Sequence, residues 1–232
     1  MTEAAQPDLQ LHITPVTPFQ QNCSLLWDRN TMDGVFVDPG GDAGKLMEVA
    51  NKASVTIKEI WLTHGHLDHA GAADEIREIT GAPVIGPHKD DQWLMDDIVS
   101  QWKKYGINEG PRNVVPTRYL EDGDKLTLGR HEFEVYHTPG HTPGHVCLFN
   151  REYRLAFVGD VLFQGSVGRT DFPKGNFEQL VTSITTKLWP LGNDVTFIPG
   201  HNQPSTFGHE RQTNGFVSDA AVAELKRRGQ IA

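Results

Sequence analysis

Short runs of apolar residues, each closed by turn residues, fill the first part of the chain. This pattern predicts strands at residues 11–16, 23–28, 34–38, 57–63 and 83–86. Asp42 precedes a helical pattern that continues to about residue 53, and we expect its side chain to cap that helix. Two further helical stretches are predicted, one from about residue 69 to 80 that ends at Gly81, the other at 90–105.

The second part of the chain repeats this succession of strands and helices. Strands are predicted at 125–128, 132–137, 145–150, 155–158 and 195–198. Asn176 starts a sequence that resembles a capping box and opens a helix with apolar residues on one face. Residues 217–228 form the last predicted helix, whose basic end suits the helix dipole. The whole pattern predicts two sheets packed face to face with helices outside, an α/β class of fold.

Metal-ligand side chains stand at the ends of four of these strands. The strand at 57–63 leads directly into His64, His66, Asp68 and His69. Three other strands lead into His141, Asp160 and His201, each with Gly or Pro beside it. A single His or Asp after a strand is usually a turn residue or a helix cap, but four such strand ends together predict a metal site. Imidazole combined with carboxylate suits zinc, iron or manganese.

The composition limits the classes of function. With 232 residues, 38% of them hydrophobic, the chain is long enough to bury a full core. A formal charge of −9 disfavours nucleic acid as a partner. There is no secretory signal and no run long enough to cross a membrane, so we expect a cytoplasmic protein. Cys23 and Cys147 lie in apolar, strand-like contexts, and we interpret both as small core residues.

The motif Thr-His-x-His-x-Asp-His at 63–69 resembles the signature of the metallo-β-lactamase superfamily. The stretches at 15–23, 138–145, 168–173 and 197–201 resemble the glyoxalase II group, the hydroxyacylglutathione hydrolases, in their short bacterial form. The resemblance covers nearly the whole chain. It implies a four-layer αββα sandwich in one domain over residues 1–232, without the helical C-terminal domain of classical glyoxalase II.

The resemblance also assigns the ligands of two divalent metal ions, with zinc expected first and iron or manganese as alternatives. It gives one ion to His64, His66 and His141, the other to Asp68, His69 and His201, and a bridging position to Asp160. The presence of His69 argues against β-lactamase classes B1 and B2, and Asp160 argues against class B3. We interpret His145 and Asp38 as supporting residues. The remaining histidines lack ligand spacing and are expected at the surface or in strands: His12, His88, His131, His137 and His209.

Two such ions share a hydroxide that attacks a carbonyl without a catalytic Ser or Cys. Asp68 would orient that hydroxide, and a thiolate leaves without a strong general acid, so the site suits thioesters. The resemblance implies hydrolysis of a 2-hydroxyacyl thioester such as S-D-lactoylglutathione, in methylglyoxal detoxification. Arg169 is the candidate contact for a carboxylate of the thiol moiety, with pairing to Asp171 as the structural alternative.

Two other reactions stay open on the same fold. A persulfide dioxygenase with a single iron is the main alternative, because the stretch at 168–172 also resembles that family. A lactone hydrolase is the other. The expected partner is a small-molecule thioester, with no nucleic acid and no membrane, and the expected assembly is a monomer or a small homo-oligomer.

Overall fold

Two β-sheets form the centre of the molecule in a computed structural model that describes residues 7–107 and 110–231. The first sheet has the strand order β1-β2-β3-β4-β5. Its strands β1 to β3 are antiparallel, whereas β4 and β5 continue in parallel with β3. The bounds are β1 Leu9–Val16, β2 Gln21–Asp28, β3 Asp33–Val37, β4 Thr56–Trp61 and β5 Val84–Ile85.

The second sheet contains six strands in the order β13-β12-β9-β8-β7-β6. All its pairs are antiparallel except β12 with β9, which run parallel. A separate two-stranded hairpin, β10-β11, follows β9. The bounds are β6 Lys125–Leu128, β7 His131–His137, β8 Val146–Asn150, β9 Leu155–Gly159, β10 Leu162–Phe163, β11 Ser166–Val167, β12 Thr196–Pro199 and β13 Ser205–Thr206.

Short helices connect the strands. They are α1 Ala43–Lys52, α2 Leu67–Ala70, α3 Ala73–Thr80, α4 Gln92–Met95, α5 Ile98–Lys104, α6 Phe177–Ser183, α7 Phe207–Thr213 and α8 Asp219–Arg227. Within the described ranges, no helix combines the length and the apolar character that a membrane span requires.

Three apolar clusters separate four layers of structure. The central cluster lies between the sheets, where the fully buried rings of Trp61 and Phe133 meet edge to face with centroids 5.1 Å apart. A second cluster packs the first sheet against its helices, with Ile76 of α3 among its members. The third packs the second sheet against α6 and α7 and includes Leu180. The predicted αββα sandwich is therefore confirmed.

Asp42 does not cap α1 as the sequence predicts. It occupies the N-cap position, but its backbone is left-handed, with φ of 54°, and its side chain makes no capping hydrogen bond. Its Oδ2 instead accepts a hydrogen bond of 3.0 Å from the backbone N–H of Thr17. Asp42 thus ties the start of α1 to the loop after β1.

Two stretches predicted as single helices are each divided. The stretch at 69–80 becomes α2 and α3, because the backbone N–H of Ala72 bonds to Pro39 O, 2.9 Å away, outside the helix. Gly81 ends α3 in the left-handed conformation, as predicted. The stretch at 90–105 becomes a 3₁₀ turn at Lys89–Asp91 followed by α4 and α5.

Helix α7 and the short strands β10, β11 and β13 were not among the predicted elements. Each of these strands has two residues, which is too short for a periodic pattern. His131 does lie in a strand, but its side chain is fully buried.

Replacement of Phe133 by Ala tests the contact between the sheets. Because the ring is fully buried against Trp61, we expect Phe133→Ala to lower the free energy of unfolding by about 3–5 kcal/mol in denaturant titrations. Val115→Ala is the control, since Val115 is 61% exposed and its truncation should change stability by less than about 0.5 kcal/mol. Equal effects of the two changes would contradict this account of the core.

The two thiols provide a second test. Both Cys23 and Cys147 are buried, and burial raises the pKa of Cys147 to about 12 and the pKa of Cys23 well above its usual value. We expect iodoacetamide at pH 8 to leave the native protein unmodified and to alkylate both thiols after unfolding in guanidinium, as read by intact mass. Rapid alkylation of the native protein would show an accessible thiolate.

Candidate metal centre

The ends of four strands bring the predicted ligands to one edge of the sandwich. Strand β4 of the first sheet leads through residues 62–66 into α2, which carries Asp68 and His69. In the second sheet, Asp160 directly follows β9, while His141 and His201 stand in the loops after β7 and β12. The two sheets therefore contribute ligands from opposite sides of the same space.

Three imidazoles form the first cluster. His66 Nδ1 lies 3.0 Å from His64 Nε2 and 3.0 Å from His141 Nε2. Two nitrogens bound to one tetrahedral zinc ion at about 2.0–2.1 Å would be about 3.3 Å apart. The three nitrogens thus have nearly the spacing that a common ion requires.

Asp68, His69 and His201 form the second cluster. Asp68 Oδ2 lies 3.3 Å from His201 Nε2. Asp160 lies between the clusters, with Oδ1 3.4 Å from His69 Nε2 and Oδ2 3.6 Å from both His141 Nε2 and His201 Nε2. The structure therefore brings all seven sequence-predicted ligands together.

Two buried atoms in this space, 3.4 Å from each other, have no hydrogen-bond partner among the described residues. They are His69 Nε2 and Asp160 Oδ1. A buried imidazole nitrogen and a buried carboxylate oxygen are costly to leave unpaired, and both are good ligands for a divalent cation. The side chains present therefore fit a metal centre.

In three of the ligating histidines, the ring nitrogen that faces away from the centre has its own acceptor. His64 Nδ1 lies 3.1 Å from Thr63 Oγ1, and His141 Nδ1 lies 2.7 Å from the carbonyl oxygen of Arg169. His201 Nδ1 lies 3.2 Å from the carbonyl oxygen of Phe19. Such contacts fix the tautomer, so that Nε2 of each of these three rings is left to bind metal.

Asp38 supports the centre from the first sheet. Its Oδ2 lies 2.9 Å from His69 Nδ1 and accepts the hydroxyl of Thr63 at 2.6 Å, while Oδ1 accepts the backbone N–H of Thr63 at 2.7 Å. Asp38 has a left-handed backbone, with φ of 53°. It therefore holds both the end of β4 and the ring of His69, in agreement with its interpretation as a supporting residue.

His145 also acts from outside the ligand set. Its Nε2 accepts the backbone N–H of Asp160 at 3.1 Å, and its Nδ1 lies 3.3 Å from Thr138 Oγ1. Its ring stacks on that of His64 with centroids 4.7 Å apart. Because both ring nitrogens have partners, His145 supports Asp160 and His64.

Gly200 shows why small residues stand beside the ligands. A Cβ at Gly200 would collide with Asp160 Oδ1 and with the ring of His69. The sequence predicts that such glycines are turn residues, whereas in the structure the absent side chain of Gly200 makes room for two ligands.

Burial keeps the first cluster neutral. It lowers the pKa of His66 to about 3 and also lowers the pKa values of His64 and His141. Burial alone would lower the pKa of His69 too, but the charge of Asp160 and the hydrogen bond with Asp38 raise it. Metal ions bind neutral imidazole, so the first cluster is ready for a cation at neutral pH, whereas His69 exchanges a proton for it.

The rim of the centre is aromatic and cationic. Phe172 is 40% exposed, and its ring centroid lies 5.5 Å from that of His66. The guanidinium of Arg169 lies 4.2 Å above the Phe172 ring and makes a bidentate pair with Asp171, at 2.9 and 2.7 Å. Arg169 thus lies beside the centre, and its guanidinium is already paired with the carboxylate of Asp171.

Sequence reasoning missed a second group of ligand-type residues near the centre. Ligand atoms of His88, Asp90 and His137 lie within 4.8 Å of one another. His88 Nε2 lies 3.1 Å from Glu121 Oε2, and His137 Nε2 lies 2.8 Å from the carbonyl oxygen of Pro143. The contact of His137 holds the loop after β7. The spacing of the three residues along the chain does not reveal the group. Asp91, discussed below, was missed for the same reason.

Known proteins share this sequence and fold. Residues 16–201 match the family model of the metallo-beta-lactamase superfamily. The chain is 40% identical to hydroxyacylglutathione hydrolase GloC of Haemophilus influenzae over 210 residues, which cover 90% of this chain and 99% of that protein. The crystal structure of BLEG-1 B3 metallo-beta-lactamase is 33% identical with a TM-score of 0.82, covering 90% of this chain and 99% of that one. The structure of TTHA1623 in a di-iron-bound form is 33% identical with a TM-score of 0.80, covering 89% and 100%.

Removal of Asp160 tests whether one carboxylate serves both clusters. Because its oxygens face His69, His141 and His201, we expect Asp160→Ala to lose metal from both sites, as measured by elemental analysis after dialysis. Asp219→Ala is the control, since that exposed carboxylate lies at the start of α8. Retention of two ions per chain by Asp160→Ala would exclude a bridging role.

Proposed function

We propose that this chain, which belongs to the metallo-β-lactamase superfamily and is a hydrolase, cleaves a 2-hydroxyacyl thioester to a hydroxy acid and a thiol. The observation that supports this most is the complete set of seven donor side chains, with Asp160 between the two clusters. The similarity to a hydroxyacylglutathione hydrolase supports the same bond. S-D-lactoylglutathione is the proposed test substrate.

The proposed cofactor is a pair of divalent ions, with zinc the first candidate and iron or manganese the others. When bound, such a pair supplies a polarised substrate carbonyl and a water of lowered pKa. The proposed setting is the cytoplasm, with the enzyme a monomer or small homo-oligomer.

Asp68 is the proposed acceptor for a proton of the attacking water. Its Oδ2 contacts His201 Nε2 at 3.3 Å, and its side chain is 16% exposed, so it borders the open side of the centre. One carboxylate oxygen can orient the water through a hydrogen bond while the other remains a ligand. The thiol product leaves as a thiolate without a strong general acid, since its pKa of about 8.5 is low for a leaving group.

The rim supplies candidate contacts for the rest of the substrate. Phe172 packs beside His66 and His141, with centroids 5.5 and 6.4 Å away, and forms an apolar wall for the acyl group. Arg169 is the proposed partner of a carboxylate on the thiol moiety. Asp171 occupies the fork of Arg169, so a substrate carboxylate must replace that of Asp171.

One preparation distinguishes thioester hydrolysis from the competing reactions. The protein is purified, and its zinc, iron and manganese are counted. Hydrolysis is assayed with S-D-lactoylglutathione, a lactone and a β-lactam, and oxygen uptake is measured with a persulfide. We expect two ions per chain and thioester hydrolysis. The β-lactam is included because BLEG-1 is described as a B3 metallo-beta-lactamase. One iron with oxygen uptake and no thioesterase activity would overturn the proposal, as would hydrolysis of only the lactone or the β-lactam.

Two opposite substitutions test the rim. Arg169→Ala removes the proposed charge-assisted hydrogen bond to the substrate carboxylate. It should therefore raise KM for S-D-lactoylglutathione about tenfold with little change in kcat. Asp171→Asn should lower KM, because it frees the guanidinium that Asp171 holds at 2.7 Å. A thioester without a carboxylate on its thiol moiety is the control and should respond to neither change. If both variants raise KM equally, Arg169 acts through its pair with Asp171 and not through the substrate.

A further inference from the structure

A carboxylate behind the metal ligands has no place in the chemistry described so far. Asp91 ends the 3₁₀ turn Lys89–Asp91 and is fully buried. Its Oδ2 accepts the backbone N–H of Gly65 at 3.0 Å and the hydroxyl of Thr142 at 2.7 Å, and its Oδ1 accepts the backbone N–H of Gly144 at 2.6 Å. One side chain thus binds two loops that are far apart in the sequence.

Each of these loops carries ligands of the first cluster. Gly65 stands between His64 and His66, and Thr142 directly follows His141. The distance of 3.0 Å between His66 Nδ1 and His141 Nε2 depends on how far the two loops are apart. Asp91 is therefore placed to set this spacing.

The packing around Asp91 leaves little room for another spacing. A Cβ at Gly65 would lie 2.8 Å from the carbonyl oxygen of Asp91, and a Cβ at Gly144 would lie 2.5 Å from its backbone nitrogen. The backbone N–H of His88 adds a bond of 3.1 Å to the carbonyl oxygen of Gly144. Both loops thus lie directly against the turn that carries Asp91.

The chemistry of this contact also points to a positioning role. The hydrogen-bond donors to Asp91 within the described ranges are two backbone amides and a hydroxyl, none of them a cation. A buried carboxylate without a cationic partner costs free energy, which a smaller apolar residue would avoid. The second cluster is supported instead by Asp38, through His69, and by the carbonyl oxygen of Phe19, through His201.

We propose that Asp91 is a positioning residue for the first metal cluster, which holds the loop of His64 and His66 at a fixed distance from the loop of His141. It touches neither metal nor substrate. Its loss weakens the binding of the ion in the first cluster and leaves the second cluster unchanged.

Single-site backgrounds separate the two clusters. His201→Ala leaves a complete first cluster, and His66→Ala leaves a complete second cluster. Asp91→Asn is added to each, and the Kd for zinc is measured by competition with a chromophoric chelator. The amide has nearly the same shape as the carboxylate but turns an NH₂ group toward an N–H donor. We expect a 10- to 100-fold rise in Kd in the first background, the size typical of lost outer-shell support, and less than about a threefold change in the second.

Two further variants keep the test independent of folding. Thr142→Val removes one of the three hydrogen bonds to Asp91 and should raise the zinc Kd of the first cluster by a smaller factor. This variant keeps the test available if Asp91→Asn does not fold. Glu210→Gln is the matched control: Glu210 is also fully buried and accepts N–H groups of Gly165 and Asn214 at 2.8 and 2.9 Å, away from the first cluster. Glu210→Gln should lower the melting temperature without changing the ratio of the zinc Kd values of the two clusters.

Hydrogen exchange of the metal-free protein gives a readout that does not depend on metal or activity. Asp91→Asn should speed exchange of the Gly65 and Gly144 amides, while the amide of Thr63, bonded to Asp38 at 2.7 Å, keeps its protection. An equal rise of Kd in both backgrounds, or no rise in the first, would overturn the proposal. Failure of the thioesterase assay would not affect it, since zinc is the only ligand measured.

Discussion

Two backbone hydrogen bonds join the sheets at the metal edge, and the centre depends on them. The N–H of Val146 in β8 bonds to Thr63 O at 2.8 Å, and the N–H of Asn22 in β2 bonds to Gly200 O at 2.7 Å. Each bond stands next to a ligand, since His64 follows Thr63 and His201 follows Gly200. A metal centre requires its donors to be held within about 0.5 Å, and ligands from two sheets meet that tolerance only if the sheets are fixed to one another.

Three buried carboxylates near this edge have different partners and therefore different tasks. Asp38 holds an imidazole and the end of a strand, Asp91 holds two backbone loops, and Asp160 faces imidazoles from both clusters. Burial would raise the pKa of Asp160, but the histidines around it lower that pKa, so it stays ionised. Burial raises the pKa of Asp91, whose partners are neutral. Of these two carboxylates, Asp160 is thus the one that is electrostatically prepared for a cation.

The ligands could be predicted because the information is local. Each follows an apolar strand, and four of them fall within six residues from His64 to His69. The αββα sandwich followed from the same strand pattern together with the family resemblance. Asp91 could not be found in this way, because its partners Gly65 and Gly144 are 26 and 53 residues distant and the bonds use backbone atoms, which leave no residue-type signal. Asp42 was misassigned because a helix-capping residue and a residue bonded to a neighbouring loop look alike in sequence.

With the proposed pair of ions bound, the local charge of the centre would differ in sign from that of the chain. The formal charge of the whole chain is −9. The two proposed divalent ions, less the two ligand carboxylates Asp68 and Asp160, would contribute a local charge of about +2, and bound ions dominate the field at such short range. At the rim, the Arg169 guanidinium lies 4.2 Å from the centre of the Phe172 ring, and its charge is paired with that of Asp171. Salt screens the distant acidic surface over about 8–10 Å, whereas contacts inside the mouth are screened much less. With the proposed ions bound, the centre would attract an anionic substrate even though the chain as a whole carries a net charge of −9.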